Sequence, residues 1–352
     1  MLGRLYKGEL AFDFFGARRR WFLLSGVLLL LSVGGLLVRG LELSVDFSGG
    51  TLVQAPNRSG ASVAEYRSAL SGLGQSAARV QLVSGGEGVR VQTGTVRPET
   101  EAALMERVAA TAGVPTTDVS IDTVGPVWGD QITLLAVRAL AIFLALAVVF
   151  ISWRFEWKMA VAALAALAHD LIIPAGIYAL AGLEVTPATV IAILTILGYS
   201  LYDTVVVFDK MRENVQELGE RLPYGDIVNL SMNQVLMRSI NTSLSSLLPV
   251  GSLLFVGSIL LGAGTLREFA VALFLGMLAG TYSSILVAAP LVAIWKERED
   301  RWERLRRRLA RQDQADRPVL PRVDRPEPAL GRPPGPGSAV PRPPRQRRKK
   351  RR

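Results

Sequence analysis

IAILTILGYSLYDTVVVFDKMRE, residues 191 to 213, reads as an apolar helix long enough for a bilayer, with an acid in its interior. Asp203 lies roughly two to three turns from the charged end of the run, at about 1.5 Å per residue, which puts its carboxylate near the membrane middle. A carboxylate there is costly, so acids at that depth face a bundle interior or a water-filled cavity and mark an ion, proton or substrate path. The plain alternative is an Asp that only hydrogen-bonds a neighbouring helix, and function outweighs it because membranes seldom keep an unused acid. Tyr199 and Ser200, four and three residues earlier, share the face of Asp203, and Thr195 and Ala192 extend it. This polar and small stripe should face protein rather than lipid.

Working outward, half of the 352 residues are apolar and come in long unbroken runs, which places the chain among integral membrane proteins. The net charge of +10 could suggest a nucleic-acid partner, but residues 296–352 hold 20 basic and 8 acidic residues and account for all of it. The basicity belongs to the tail. The chain has no cysteine, which excludes disulfides, thiol catalysis and cysteine-bound metal, and its one histidine cannot build a zinc site alone. No cofactor is expected.

Residues 1–20 end in Arg18, Arg19 and Arg20 and should stay cytoplasmic ahead of a first span at 21–38, which resembles a retained anchor rather than a cleaved signal. Five further apolar runs lie at about 132–153, 159–180, 188–208, 243–261 and 269–295. The connections at 154–158 and 210–238 are basic at their membrane edges, whereas 181–187 has no Lys or Arg, so both ends of the chain are expected inside.

Residues 39–131 are far less apolar and read as a soluble outer domain. VDFSGGTLVQ, residues 45–54, alternates like a strand, and 62–73 has helical spacing with Ser62 as N-cap and Glu65 three residues on. A hairpin follows at 78–84 and 88–94, then a helix over 99–112 opened by Pro98 and closed by Gly113, then a strand over 118–124. That order, β-α-β-β-α-β, is the ferredoxin-like pattern. The fold class expected is therefore an α-helical polytopic membrane protein of six transmembrane helices with a small α+β ferredoxin-like domain between helices one and two.

The inner connection at 213–235 mixes charged with apolar residues, as an amphipathic segment on the membrane surface or a polar loop with a short solvated helix would. Residues 296–311 continue the last helix, and from Arg317 the tail is rich in Pro, Arg and Gly and reads as disordered. Its closing QRRKKRR fits contact with anionic membrane lipid or with the ribosome, or a solvated charge run that enforces the inside location.

Other residues could carry chemistry. His169 and Asp170 interrupt the third span; as helix neighbours they point about 100° apart, so each is expected to seek a partner on another helix. Function is the stronger reading for Asp170, while His169 is a proton relay or a plain helix-helix donor. Arg238, at the entrance to span five, either reaches inward toward Asp203 or snorkels to the interface, and Asn241 and Thr242 could hydrogen-bond along the same route. Gly276 and Gly280 in span six serve close helix packing. There is no Walker loop, no nucleophile beside a base and no dinucleotide fingerprint, so an enzyme is not expected.

Four stretches carry a resemblance: VDFSGG at 45–50, AHD at 168–170, GYSLYDTVVVFDKMREN at 198–214 and RSINTS at 238–243. In order, spacing and placement on helices they resemble the bacterial SecF family, the smaller partners of SecD in the SecDF accessory complex, within the RND superfamily. The resemblance spans about residues 10–296. It implies an RND-type half in the bacterial inner membrane, a periplasmic outer domain, and proton-motive-force-driven assistance to protein export. Implied partners are SecD, the SecYEG translocon and translocating preproteins. The resemblance also implies Asp203 as the proton-pathway carboxylate, Arg238 as its counterpart at span five, and Asp170 on the HD motif. The sequence departs from the family at Tyr202, where the motif usually carries Asn. The competing reading is a half-size RND-type exporter of a lipid or small amphiphile, for which an outer domain of about 90 residues is small. A passive scaffold would leave both acids unexplained.

Overall fold

From the first span the chain climbs into a small sheet domain and then returns to the membrane for good. Helix α1 (Arg18–Arg39) leads to a two-residue strand β1 (Glu42–Leu43) and a single helical turn α2 (Val45–Ser48). The sheet domain follows as β2 (Gly50–Pro56), α3 (Val63–Ser71), β3 (Arg79–Val83), β4 (Gly88–Thr93), α4 (Pro98–Ala112) and β5 (Ser120–Val124). Then come α5 (Pro126–Arg154), α6 (Trp157–Ala181), β6 (Glu184–Val185), α7 (Pro187–Leu218) and α8 (Tyr224–Ser252). The chain closes with α9 (Gly264–Ser283), α10 (Ala289–Glu297) and α11 (Asp300–Ala315). Stretches of π-helix, Leu253–Leu260 and Ser284–Ala288, extend α8 and join α9 to α10.

This computed structural model describes residues 12–83, 86–260 and 264–315. The start of the expected cytoplasmic segment, the tip of the hairpin at 84–85 and the Pro- and Arg-rich tail lie outside the described residues. Residues up to Arg308 form one unit, and from Leu309 the chain belongs to a second, of which only the end of α11 is described. Among the described residues six helices are long and apolar enough to cross a membrane: α1, α5, α6, α7, α8 continued to Val256, and Arg267–Glu297 across α9 and α10.

The sheet runs β3-β4-β2-β5, antiparallel throughout, with Val53 of β2 opposite Val91 and Ile121. With two helices on one face this is the ferredoxin-like arrangement. Local chemistry sets the elements. Ser62 and Glu65 close a capping box on α3, and Gly113 ends α4 in the left-handed region at φ 70°. Tyr66, Leu70, Val80, Val89, Val91, Leu104 and Val108 fill the space between helices and sheet, each large apolar side chain contributing roughly 1.5–3 kcal/mol. The Tyr66 hydroxyl, buried with them, donates to Asn57 Oδ1 at 2.8 Å.

Three expectations are corrected. The strand expected over 45–54 begins only at Gly50, because Val45–Ser48 turn helically and Phe47 packs on Tyr178, Val185 and Ile196 at the end of the bundle. The connection expected over 213–235 is mostly helix inside the bundle: α7 runs on to Leu218, and α8 starts at Tyr224 with Ile227, Val228 and Met232 fully buried. Val228 and Met232, at i and i+4, and Ile227 beside them fill a core shared with Met159 and Phe208 rather than a membrane surface. The last helix does not continue into the tail, since it stops at Glu297 and α11 starts afresh at Asp300 with Trp302 stacked edge-on against Tyr224.

The double glycine decides how the chain enters the sheet. Gly49 and Gly50 have φ of 69° and 122°, and a Cβ on Gly50 would collide with the carbonyl oxygen of Thr93 on the paired strand. Gly50→Ala should therefore destabilise the chain by roughly 1–3 kcal/mol. Gly94→Ala, where a Cβ meets open space, should be nearly silent. Thermal unfolding in detergent micelles checks this, and equal melting temperatures for the two variants would contradict it.

Candidate functional site

Inside a greasy bundle, polar side chains seek one another, and here those of four helices gather in one seam. From α6 come His169 and Asp170, from α7 Ser200, Asp203 and Thr204, from α8 Ser239 and Ser243, and from the sixth span Tyr282, Ser283 and Ser284. Close approach makes the seam possible. A Cβ on Gly280 would stand 3.0 Å from the Ser200 Cβ, and one on Gly276 would collide with Ile196, so the glycine pair of span six presses it against α7 as expected. The π-helical turn that starts at Ser284 follows three consecutive polar residues, which as helix neighbours fan out to different partners.

Asp170 is almost fully buried and gathers donors from both sides. Its Oδ2 accepts from Ser283 Oγ at 2.8 Å and from Ser200 Oγ in a very short bond. Its Oδ1 lies 3.0 Å from His169 Nδ1. His169 Nε2 in turn lies 2.6 Å from the Tyr282 hydroxyl, with the two rings edge-on. With a proton on Nδ1, the ring donates to Asp170 and accepts from Tyr282, giving an unbroken line Tyr282–His169–Asp170 across the bundle. This corrects the expectation that His169 and Asp170 do not pair. The 100° between neighbours separates their Cα–Cβ bonds, but both side chains turn toward the sixth span, where Tyr282 and Ser283 meet them, and the longer imidazole reaches the carboxylate.

Asp203 is held differently. Its Oδ1 accepts from Ser239 Oγ at 2.9 Å, while Oδ2 is buried and has no hydrogen-bond partner among the described residues. A proton on that oxygen would break no hydrogen bond seen among the described residues. Around them Thr204 donates to Ser284 at 3.0 Å, and Ser284 donates to the Gly280 and Ser200 carbonyls at 3.1 and 3.4 Å.

Arg238 does not pair with Asp203 in this structure. Its Nη2 donates to the Tyr202 hydroxyl at 2.8 Å, and its guanidinium lies 5.9 Å from the centre of that ring, on the exposed side of α7 and α8. Two adjacent rungs thus join these helices: Tyr202–Arg238 facing out and Asp203–Ser239 facing in. Of the supporting residues, Ser200 enters the seam, while Tyr199 packs among Ile196 and Leu247, Asn241 is exposed, and Thr242 donates to the carbonyl of Arg238 on its own helix. Thr195 is exposed and likewise bonds its own helix, so the stripe of Ala192, Ser200 and Asp203 is narrower than expected. Sequence reasoning missed Ser239, Tyr282, Ser283 and Ser284. The run TYSS in span six was a usable signal for three of them.

Residues 104–298 match the family described as protein export membrane protein SecD/SecF, C-terminal, and residues 34–56 match the SecD/SecF GG motif. Over 308 residues the chain is 43% identical to the protein translocase subunit SecF of Streptomyces coelicolor, covering 87% of this chain and 82% of that one. It is 41% identical over 311 residues to the SecF of Mycobacterium tuberculosis strain H37Rv, covering 85% and 70%. Among solved structures, the SecDF of Thermus thermophilus, described as a translocon-associated membrane protein, is similar with a TM-score of 0.74 at 37% identity. That likeness covers 83% of this chain and 39% of the SecDF chain.

The two hydroxyls on Asp170 Oδ2 can be separated by experiment. Ser200→Ala or Ser283→Ala leaves one donor in place and should cost about 1 kcal/mol, whereas the double variant leaves a buried oxygen bare and should cost more than the sum, about 1–3 kcal/mol beyond it. Unfolding in mixed detergent micelles measures this. Strict additivity would mean that the hydroxyls do not share the carboxylate.

Proposed function

The chain belongs to the SecD/SecF family of protein export membrane proteins, and from that premise we propose that it is a SecF-type subunit using the proton motive force to assist late steps of protein export. On this reading it works in the bacterial inner membrane with SecD, the SecYEG translocon and the emerging preprotein, and performs no enzymatic step. Both ends of the chain are cytoplasmic and the sheet domain is periplasmic. The similarity to two fifths of a SecDF chain supports a second half as partner. So do Arg238, Asn241 and Ser245, exposed along one side of α8, since polar side chains at membrane depth call for a protein neighbour.

The observation that carries the proposal is Asp203, a membrane-buried acid with one oxygen bonded and the other bare. The two rungs supply the switch. Neighbouring residues differ by about 100°, so a rotation of α8 of that size exchanges Ser239 for Arg238 opposite Asp203. A protonated Asp203 fits the arrangement described here, and an ionised one favours the guanidinium. A charge crossing the membrane gains about 2.3 kcal/mol per 100 mV, enough to bias two such states.

Export of a reporter preprotein into inverted membrane vesicles, with and without an uncoupler, tests this. Asp203→Asn should leave folding and recovery of the partner complex intact while abolishing gradient-stimulated export. Arg238→Met should do the same, and the double variant should be no worse than either. Stimulation that survives in Asp203→Asn reduces this residue to a structural hydrogen-bonding group.

Orientation has its own test, made clean by the absence of cysteine. Ser68→Cys, exposed on α3, should react with a membrane-impermeant maleimide added outside cells, and Glu220→Cys, exposed between α7 and α8, should not. The reverse pattern inverts the topology.

A further inference from the structure

Where the sheet domain stands on the bundle, charged side chains from five elements meet. Arg90 on β4 places Nη1 3.1 Å from Glu184 Oε2 and Nη2 2.9 Å from Glu268 Oε1. Glu184 belongs to β6, the short strand between α6 and α7, and Glu268 to the start of the sixth span. The three side chains are 18%, 5% and 22% exposed, so the contact is largely shut off from water. Among the described residues Arg90 Nε is buried without a hydrogen bond, which leaves the two carboxylates to aim the guanidinium. Alongside, β1 pairs in parallel with β6, Glu42 opposite Glu184, and Glu42 also accepts from Gln81 Nε2 and faces Arg79 Nη1 at 3.8 Å on β3.

One side chain of the sheet therefore grips the outer ends of two spans. Both line the seam: β6 runs into α7, which bears Ser200 and Asp203, and the sixth span bears Ser283 and Ser284. They are also the pair pressed together at Gly276 and Gly280, and a helix transmits a shift along its axis as a rod. We propose that Arg90 is the positioning residue that couples the two parts, clamping the sheet domain to α7 and the sixth span through Glu184 and Glu268. The role assigned to the coupling rests on the function proposed above, whereas the clamp itself does not.

The clamp also responds to pH. Glu184 is faced by Arg90 from β4, Arg79 from β3, Glu42 from β1 and Glu268 from the sixth span, and burial outweighs the pull of Arg90 to hold its carboxyl above the ordinary range. The clamped arrangement thus binds this proton more tightly than a released, solvated one. Glu184's contribution to clamping is full below the ordinary carboxylate range and fades as the pH rises through the raised value. Glu268 keeps the guanidinium in place while Glu184 is neutral.

The test uses the full chain in lipid nanodiscs with spin labels at Ser68→Cys on α3 and Ala181→Cys at the end of α6, both exposed. The parent should give one narrow distance distribution that broadens as the pH rises. Arg90→Gln should give a broad one at every pH, Arg90→Lys should recover part of the narrow population, and Glu184→Gln should stay narrow with no pH dependence. In inverted vesicles Arg90→Gln should lose gradient-stimulated export at least tenfold, while Asp203→Asn keeps the narrow distribution. A narrow distribution in Arg90→Gln overturns the clamp, and a broad one with unchanged gradient stimulation overturns the coupling. If the parent itself shows no gradient-stimulated export, the function proposed above fails, and the distances still decide the clamp.

Discussion

Two carboxylates that cannot be left bare in a membrane set the terms for the bundle around them. An unpaired carboxylate in that medium is so costly that neighbouring helices must bring donors within 3 Å, and hydroxyls on short side chains reach only when backbones are close. That requirement accounts for the small residues on the facing surfaces. Gly280 lets Ser200 and Ser283 converge on Asp170, and a Cβ on Gly176 of α6 would collide with Ser32, which brings α1 against the same helix. Polar satisfaction and close packing are here one constraint, read from opposite sides of the interface.

Much of the fold was legible because its signals are long. Five of the six spans stand where the apolar runs do, and the sheet domain showed itself through caps and turns that act locally: Ser62 with Glu65, Pro98, Gly113. What escaped was decided by tertiary contact. Val45–Ser48 alternates like a strand yet turns, because Phe47 finds an apolar seat on the bundle and Gly49 supplies the left-handed residue that ends the turn. Tyr224 to Val235 carries enough polar residues to look like a surface connection, but Asn214 donates inward to Ser231 and Gln234, which frees the apolar face to enter the core.

The site was legible in its acids and illegible in its donors. An Asp at membrane depth announces itself by cost, whereas a serine costs little anywhere and gives no sign of which helix it faces. Ser239 stands beside Arg238, and charge drew attention to the arginine as the partner of Asp203. The register of α7 and α8 instead gives the arginine to Tyr202 and the serine to the acid. The resemblance carried by the sequence implies Asn at residue 202, and here a phenol at that position holds the guanidinium on the exposed side of the helices.

That distribution of partners suits a bundle that rearranges, as the function proposed above requires. Removing one partner of a buried Asp203–Arg238 pair would cost roughly 3–5 kcal/mol, so on the switch proposed above that pair is released by a proton neutralising Asp203 and not by the field alone. Hydroxyl bonds of about 1 kcal/mol each are of a size that a single proton can outweigh. With the arginine held on Tyr202, Asp203 stands outside any ion pair, and on the function proposed above its second oxygen is the place a proton takes. At the other end of α7 the balance is reversed: Arg90, between one buried and one half-buried carboxylate, forms the contact that on the clamp proposed above stays closed while the helix shifts beneath it. On the function proposed above, weak bonds where the bundle would rearrange and a stronger one where motion would be handed on suit a device driven by a small gradient.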